Sequence, residues 1–265
     1  MRDFNSAKEI FKDVIDTSFY FDSLSAEFAK KMIRDFIFQK NVPLMFMIGD
    51  PGVGKSYLLR LIEKEIKHKY LTVFLDNPFF DKKDFLELLY KAKGLNFDKD
   101  KNFNDLKNEI IREYKDIKHV IFIDEAQLLS EEQFELLRIL SDTKVFKFVF
   151  TMHKEEGKEI LKRKHIKSRD KSVIEINGLH KNEVLRYIQS SLISNSFMEI
   201  AQMFSKNHAL KIARYSSGNF RVIKRFLYKL MVLLDFAKKN SLKRYEQINS
   251  TLLLMVAIDL GLTNE

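Results

Sequence analysis

The chain contains no cysteine, which excludes a disulfide frame and any site built on thiolate-bound zinc. Its six histidines (His68, His119, His153, His165, His180 and His208) are scattered with no close helical pair, which argues against a histidine-based metal centre. Three prolines are present, at positions 43, 51 and 78, so helices after Pro78 meet no proline break. Of only eight glycines, Gly49, Gly52 and Gly54 fall in one short loop. A chain so sparing of glycine concentrates it where the backbone must approach something closely. The longest apolar stretches, such as Leu252 to Ile258, fall far short of the roughly 20 residues that a membrane-spanning helix needs. The first residues, MRDFNSAKEIF, carry charge and lack an apolar core of the export type, so the expected location is the cytoplasm.

What the chain does have suits a globular protein. Its 265 residues are 45% hydrophobic, enough for one sizeable α/β domain, alone or with a small helical one. The net charge of +9 is compatible with nucleic acid, an acidic membrane surface or no partner at all. Lys, Asn, Ile and Phe are abundant together, as AT-rich coding produces, and such a bias adds lysines without function. Two tracts concentrate the charge: Lys162-Arg163-Lys164 with Lys167, Arg169 and Lys171, and Lys238-Lys239 near Lys243-Arg244. Each could meet phosphates or acidic lipid, and each could equally be a solvated helix face. Neither shows the interleaved aromatics of a surface that stacks single strands.

Five runs read as buried strands: Val42–Gly49, Tyr70–Asp76, His119–Asp124, Val145–Thr151 and Ser172–Ile176. Most carry apolar residues at successive positions, the pattern of strands covered on both faces. Helical patterns alternate with them. Leu24, Phe28, Met32 and Phe36 recur every four residues, Ser56 to His68 follows the first strand, and Asp81 is placed to cap the helix of Phe85, Leu88 and Leu89. Ser130 and Gln133 form a capping-box pattern ahead of Phe134, Leu137 and Leu140. This alternation predicts a parallel sheet with right-handed crossovers. From about His180 the strands stop, and 182–193, 197–215, 219–238 and 241–260 all suit helices. The expected division is an α/β domain over 1–179 and a helical domain over 180–265.

Gly49-Asp50-Pro51-Gly52-Val53-Gly54-Lys55-Ser56 matches G-x-x-x-x-G-K-[ST], between a strand and a helix as that motif requires. Glycines let backbone N–H groups converge on phosphates, and the helix N-terminus adds free donors and a favourable dipole. Lys55 is placed to reach the β/γ-phosphates of ATP, and the Ser56 hydroxyl to coordinate Mg²⁺. Tyr57 completes the set of nucleotide-binding candidates, Gly49 to Tyr57. The run Val120–Ile123 ends in Asp124-Glu125, and in a parallel sheet that end borders the ligand crevice. Asp124 is expected to orient Mg²⁺ and Glu125 to polarise the attacking water.

These residues resemble those of AAA+ P-loop ATPases. More narrowly, the chain resembles the ATPase domain of the ExeA/GspA secretion-accessory family and the related TniB-type transposition ATPases. The likeness runs from Phe19-Tyr20-Phe21 through GDPGVGKS and IDEAQLL to a lid pattern at Phe204–Ile223 and a final helix at Ala257–Leu262. Asn77-Pro78 followed by DKKDFLELLYKAKGL belongs to the same pattern. The family's G-x-P-R reads Gly218-Asn219-Phe220-Arg221 here, with Phe220 in place of proline. The resemblance implies an α/β AAA+ domain with a five-stranded parallel sheet in the order 5-1-4-3-2, a C-terminal helical lid, and ATP between the two.

It also implies further roles. Thr151 would be the sensor at the end of the fourth strand, although Met152 stands where relatives have Gly-Gln nearby. Arg221 would be the lid sensor. Arg169 would be an arginine finger offered to a neighbouring subunit, with Arg163 the alternative, and Asn77 would restrain Glu125. An ATP hydrolase with these parts is expected to self-associate into a ring or filament. Three functions remain open: a motor for an envelope machine (type II secretion, type IV pilus or DNA uptake), held at the inner membrane through a membrane-bound partner; a TniB-like regulator assembling on duplex DNA; and a nucleotide-gated interaction module with negligible turnover. The intact Asp124-Glu125 pair argues against the last.

Overall fold

The computed structural model describes residues 3–14, 19–39, 42–76, 81–167 and 169–263, excluding the side chains of Lys164 and His165. The chain forms two compact units, one of residues 26–51 and 55–176, the other of residues 1–25, 52–54 and 177–265.

The first unit is built on five parallel strands: β1 Leu44–Gly49, β2 Leu71–Leu75, β3 His119–Ile123, β4 Phe148–His153 and β5 Lys171–Glu175. They lie in the order β2-β3-β4-β1-β5, which is the expected 5-1-4-3-2 read from the other edge. Every residue of β1 and β3 is buried, as their unbroken apolar runs require in a sheet covered on both faces. Leu44, Phe46 and Ile48 join Ile121, Ile123, Phe148 and Phe150 in one core, where the Phe46 and Phe150 rings stack 4.9 Å apart. Truncating a ring such as Phe150 to alanine typically costs about 3–5 kcal/mol. β4 begins and ends later than the apolar run suggests. Val145 and Phe146 precede the strand, and its ladder with β1 carries on to His153 opposite Gly49.

Helix Lys82–Lys93 starts with the Asp81 carboxylate accepting from the Lys83 N–H, and Glu131–Asp142 opens with a full capping box between Ser130 and Gln133. A further helix, Phe103–Tyr114, had no strong sequence signal. It is capped by Asn102 and anchored by buried Tyr114, whose hydroxyl donates to the Leu89 carbonyl. Residues 77–80, including Asn77, lie outside the described residues.

The second unit is helical and has its own core. The expected division at 179/180 assigns residues 1–25 to the α/β domain, whereas they cluster with the C-terminal helices. The reason is burial: Phe4, Ala7, Phe11 and Phe21 pack with Ile223, Phe226, Leu227 and Leu230, and Phe21 meets Tyr187 edge-on. The predicted helix at 197–215 is two, Met198–Ala201 and Lys206–Ser216. Ser205 separates them by capping the second through a box with His208. Residues 241–249 form a turn and a short 3-10 segment, so the last helix starts only at Ser250, capped by Asn249. Gly218 has φ +74°, and a Cβ there would lie 2.1 Å from the Leu179 carbonyl oxygen. The two backbones touch there, with Leu179 N–H donating to Gly218 O at 2.8 Å. Among the described residues, no helix is long and apolar enough to cross a membrane.

Candidate nucleotide site

β1 ends at Gly49 and helix Lys55–Ile66 begins six residues later, so the glycine-rich loop opens at the carboxyl end of the sheet. Gly52 and Gly54 have φ of +81° and +97°, values that side-chain-bearing residues rarely adopt. Lys55 is buried, and its ammonium donates to the carbonyls of Gly49 (2.8 Å) and Asp50 (3.0 Å). The loop therefore carries its positive charge over its own backbone. Gly52 belongs by its contacts to the C-terminal unit, where its carbonyl accepts from the Arg221 N–H at 3.2 Å. A Cβ at Gly52 would lie 2.6 Å from the Asn219 side chain and 2.8 Å from that of Arg221, so only glycine fits.

β3 delivers Asp124 and Glu125. Asp124 is buried, and its backbone N–H continues the ladder onto Leu75. Its carboxylate accepts from the Thr151 hydroxyl, and the same hydroxyl oxygen accepts from the Glu125 N–H at 3.1 Å. Thr151 has no exposed surface, so it acts here by fixing the two acids. Glu125 has φ 51°, a left-handed backbone that is uncommon for a residue with a side chain and costs of order 1–3 kcal/mol. Its carboxylate meets Gln127 and His153, whereas that of Asp124 meets Thr151.

The Glu125 carboxylate is held in turn. Gln127 donates its side-chain amide to Oε2, and His153 Nε2 lies 3.1 Å from the same oxygen. The Gln127 side-chain oxygen accepts from the His153 N–H at 3.3 Å, which closes the cluster. Sequence reasoning singled out neither residue. The available signals were Gln127 two positions after Glu125 and the alignment of His153 with Gly49 across the ladder. Of the polar residues at the end of β4, His153 rather than Thr151 is the one that reaches the Glu125 carboxylate.

The structure thus brings Lys55, Asp124, Glu125 and Thr151 to one end of the sheet. It places Arg169 elsewhere. Arg169 precedes β5 at the amino end, and its guanidinium grips Asp142 with two bonds of 2.8 and 2.7 Å. That hydrogen bond holds the Asp142 carboxyl below its ordinary pKa. Arg163 lies 3.7 Å from Glu131. In the C-terminal unit the Arg221 guanidinium pairs with Asp13 at 2.9 Å.

Residues 39–161 match the model of the AAA domain. The matched segment lies on an AAA+ P-loop NTPase fold. No curated protein sequence matches the chain. Among solved structures, Cdc6p of Pyrobaculum aerophilum is similar with a TM-score of 0.62 at 14% identity, over 88% of this chain and 66% of that one. The RuvB Holliday junction branch migration motor of Thermotoga maritima gives 0.53 at 19%, over 88% and 65%. The Aeropyrum pernix Orc1 protein in complex with DNA gives 0.58 at 10%, over 96% and 69%. At these identities the likeness is one of fold. The chain spans about two thirds of the length of each.

The residues of the matched segment suit ATP–Mg²⁺. A glycine loop at a helix start and a buried lysine drawn onto that loop match a triphosphate. Ser56 and the fixed Asp124 carboxylate would hold the cation, as hard oxygen donors do for Mg²⁺.

Proposed function

We propose that this protein hydrolyses ATP and uses the cycle to act on DNA. The observation that carries the hydrolytic part is the cluster around Glu125. One carboxylate, Asp124, is buried and fixed by Thr151, while the next follows a left-handed backbone and is held by Gln127 and His153. Two adjacent acids with different surroundings suit different tasks. Asp124 is restrained as a ligand-side anchor. Glu125 is partly exposed and can take a proton from water, with Gln127 and His153 orienting its carboxylate. When bound, ATP–Mg²⁺ supplies the scissile phosphoanhydride. The test is phosphate release and fluorescent-nucleotide binding on the Glu125→Gln protein. Retained binding with collapsed turnover supports the assignment, and unchanged turnover removes Glu125 as the base.

DNA is favoured as the object of the cycle by the net charge of +9 and by solved neighbours, one of which is described in complex with DNA. A TniB-like regulator is the narrower form of this reading. The envelope-machine reading rests on the ExeA/GspA-like lid residues Phe204–Ile223 alone. Self-association into a ring or filament goes with either. If Arg169 acts on a neighbour, it must exchange its bond to Asp142 for that contact. Mixing Arg169→Ala protein with Lys55→Ala protein decides this. A trans finger restores turnover that neither has alone, whereas a structural arginine restores nothing.

A further inference from the structure

The amino end of the sheet, opposite the phosphate loop, carries a second concentration of chemistry that the nucleotide site does not use. Five lysines from three separate segments converge there: Lys67 and Lys69 before β2, Lys115 and Lys118 before β3, and Lys144 before β4. All are exposed, and none forms an ion pair with another described residue. They border two hollows of about 620 and 570 Å³ that share Tyr70, Asp116, Ile117 and Lys118, so the hollows adjoin. Asp116 is the one acid lining them among the described residues. Five or six residues of strand separate this surface from the phosphate loop, about 17–20 Å.

The basic tract that stands out in the sequence is built differently. Lys158 pairs with Glu155, Arg163 lies near Glu131, and Arg169 grips Asp142. Lys171 spends its ammonium on the carbonyls of Ile166, Lys167 and Arg169. Arg163, Arg169 and Lys171 are thus engaged within the chain, while Lys162 and Lys167, like the five lysines of the sheet end, form no ion pair with a described residue.

Two aromatics lie among those lysines. Phe38 is 70% exposed and meets Tyr70 edge-on, with ring centroids 6.4 Å apart at 74°. Its helix end is anchored beneath it. Lys147 donates to the carbonyls of Phe36 and Ile37 at 2.7 and 3.0 Å and also to that of Gln39, so Phe38 stands on a fixed base. The same hollow is lined by His119, which is almost fully buried. Its Nδ1 lies 2.8 Å from the Ile117 carbonyl, and its Nε2 has no partner.

We propose that this end of the sheet binds a single nucleic-acid strand, with the lysines on its phosphates and a base stacked on Phe38. An exposed ring within a ring of unpaired lysines is the combination that single-strand surfaces use. Duplex DNA or an acidic peptide would draw on the lysines and leave Phe38 idle. The inference takes nucleic acid as the ligand class from the reading above, but it needs no ATP.

The experiment measures anisotropy of a labelled 15-nucleotide oligo-dT with the full chain at low salt without nucleotide, against the matched duplex, and with polyglutamate as competitor. The expected result is preferential binding of the single strand. The log–log salt slope should be about −3.5 for five lysines, falling by about 0.7 for each Lys→Gln change at Lys118 or Lys144. Phe38→Ala should weaken single-strand binding about tenfold and leave the slope unchanged. Circular-dichroism melts check that these surface variants fold. Equal duplex binding insensitive to Phe38→Ala overturns the proposal, as does displacement by polyglutamate at equal charge or no binding at 20 mM salt. The Lys55→Ala protein separates the two readings. If it still binds oligo-dT while losing ATP turnover, both stand. If wild type hydrolyses ATP but ignores oligo-dT, only the strand site falls.

Discussion

At the carboxyl ends of β1, β3 and β4 the functional side chains are held before any ligand contact. Lys55 rests on two loop carbonyls, Asp124 on Thr151, and Glu125 between Gln127 and His153. At the amino ends of β2, β3 and β4, Lys67, Lys69, Lys115, Lys118 and Lys144 carry no ion partner among the described residues. The first end pre-pays orientation, which chemistry on one bond rewards. The second keeps its charges free, which suits a repeating backbone whose phosphates need no single geometry.

The comparison breaks most readily at Glu125. Glu125→Gln is expected to lower turnover by about 10²–10⁴-fold while nucleotide binding holds, because an amide accepts no proton. Single-turnover assays check it, and oligo-dT binding in the same protein should not move. Lys55→Ala comes next. Losing a charged hydrogen bond of about 1.5–3 kcal/mol should weaken nucleotide binding by about 10–100-fold, read by fluorescent-nucleotide titration.

His153→Ala sharpens the contrast within the site itself. If His153 orients the Glu125 carboxylate, kcat should fall about tenfold with little change in nucleotide affinity, and His153→Gln should restore part of it. A merely structural role would instead lower the melting temperature and leave kcat intact. Gly218→Ala tests the helical unit away from both ends. With φ +74° and a carbonyl oxygen 2.1 Å from the new Cβ, it should cost more than about 1 kcal/mol in a denaturant melt.

The smallest effect is expected at Arg169, the satisfied arginine at the amino end. Arg169→Ala should cost about 0.2–1 kcal/mol near neutral pH, since Asp142 is half exposed. The Asp142 carboxyl is held below its ordinary value of 3.8 by the hydrogen bond from Arg169. The pair therefore contributes fully above 3.8, and its contribution disappears as pH falls through the lowered value. The stability difference between wild type and Arg169→Ala should close below that pH.

The nucleotide end was legible in the sequence because its parts are local. Gly49 to Ser56 and the run ending in Asp124-Glu125 are each a few contiguous residues with one backbone task. The sheet order followed from the resemblance those motifs carry, and it holds. The clamp on Glu125 was harder to read. Gln127 is close in the chain, but His153 enters only through a ladder that runs past the apolar stretch of β4. The clustering of the N-terminal 25 residues with the C-terminal helices was not legible, because the apolar spacing of Phe4, Ala7 and Phe11 shows a buried face but not which core buries it.

By itself the sequence determined that a glycine loop and a buried acid-tipped strand exist in one chain, since each is a short motif whose chemistry depends on neighbours in sequence. It also set the strands, which depend on periodicity, and two caps that depend on the single side chains Asp81 and Ser130. Only the tertiary structure decided which charges are free. Whether a cation is spent on an acid or a carbonyl depends on segments tens of residues away, so Arg169 in the dense tract at 162–171 proved held by Asp142. Lysines dispersed between 67 and 144 gather instead at one end of the sheet, with Lys115, Lys118 and Lys144 in the hollow of Phe38, because parallel crossovers return every strand to that end.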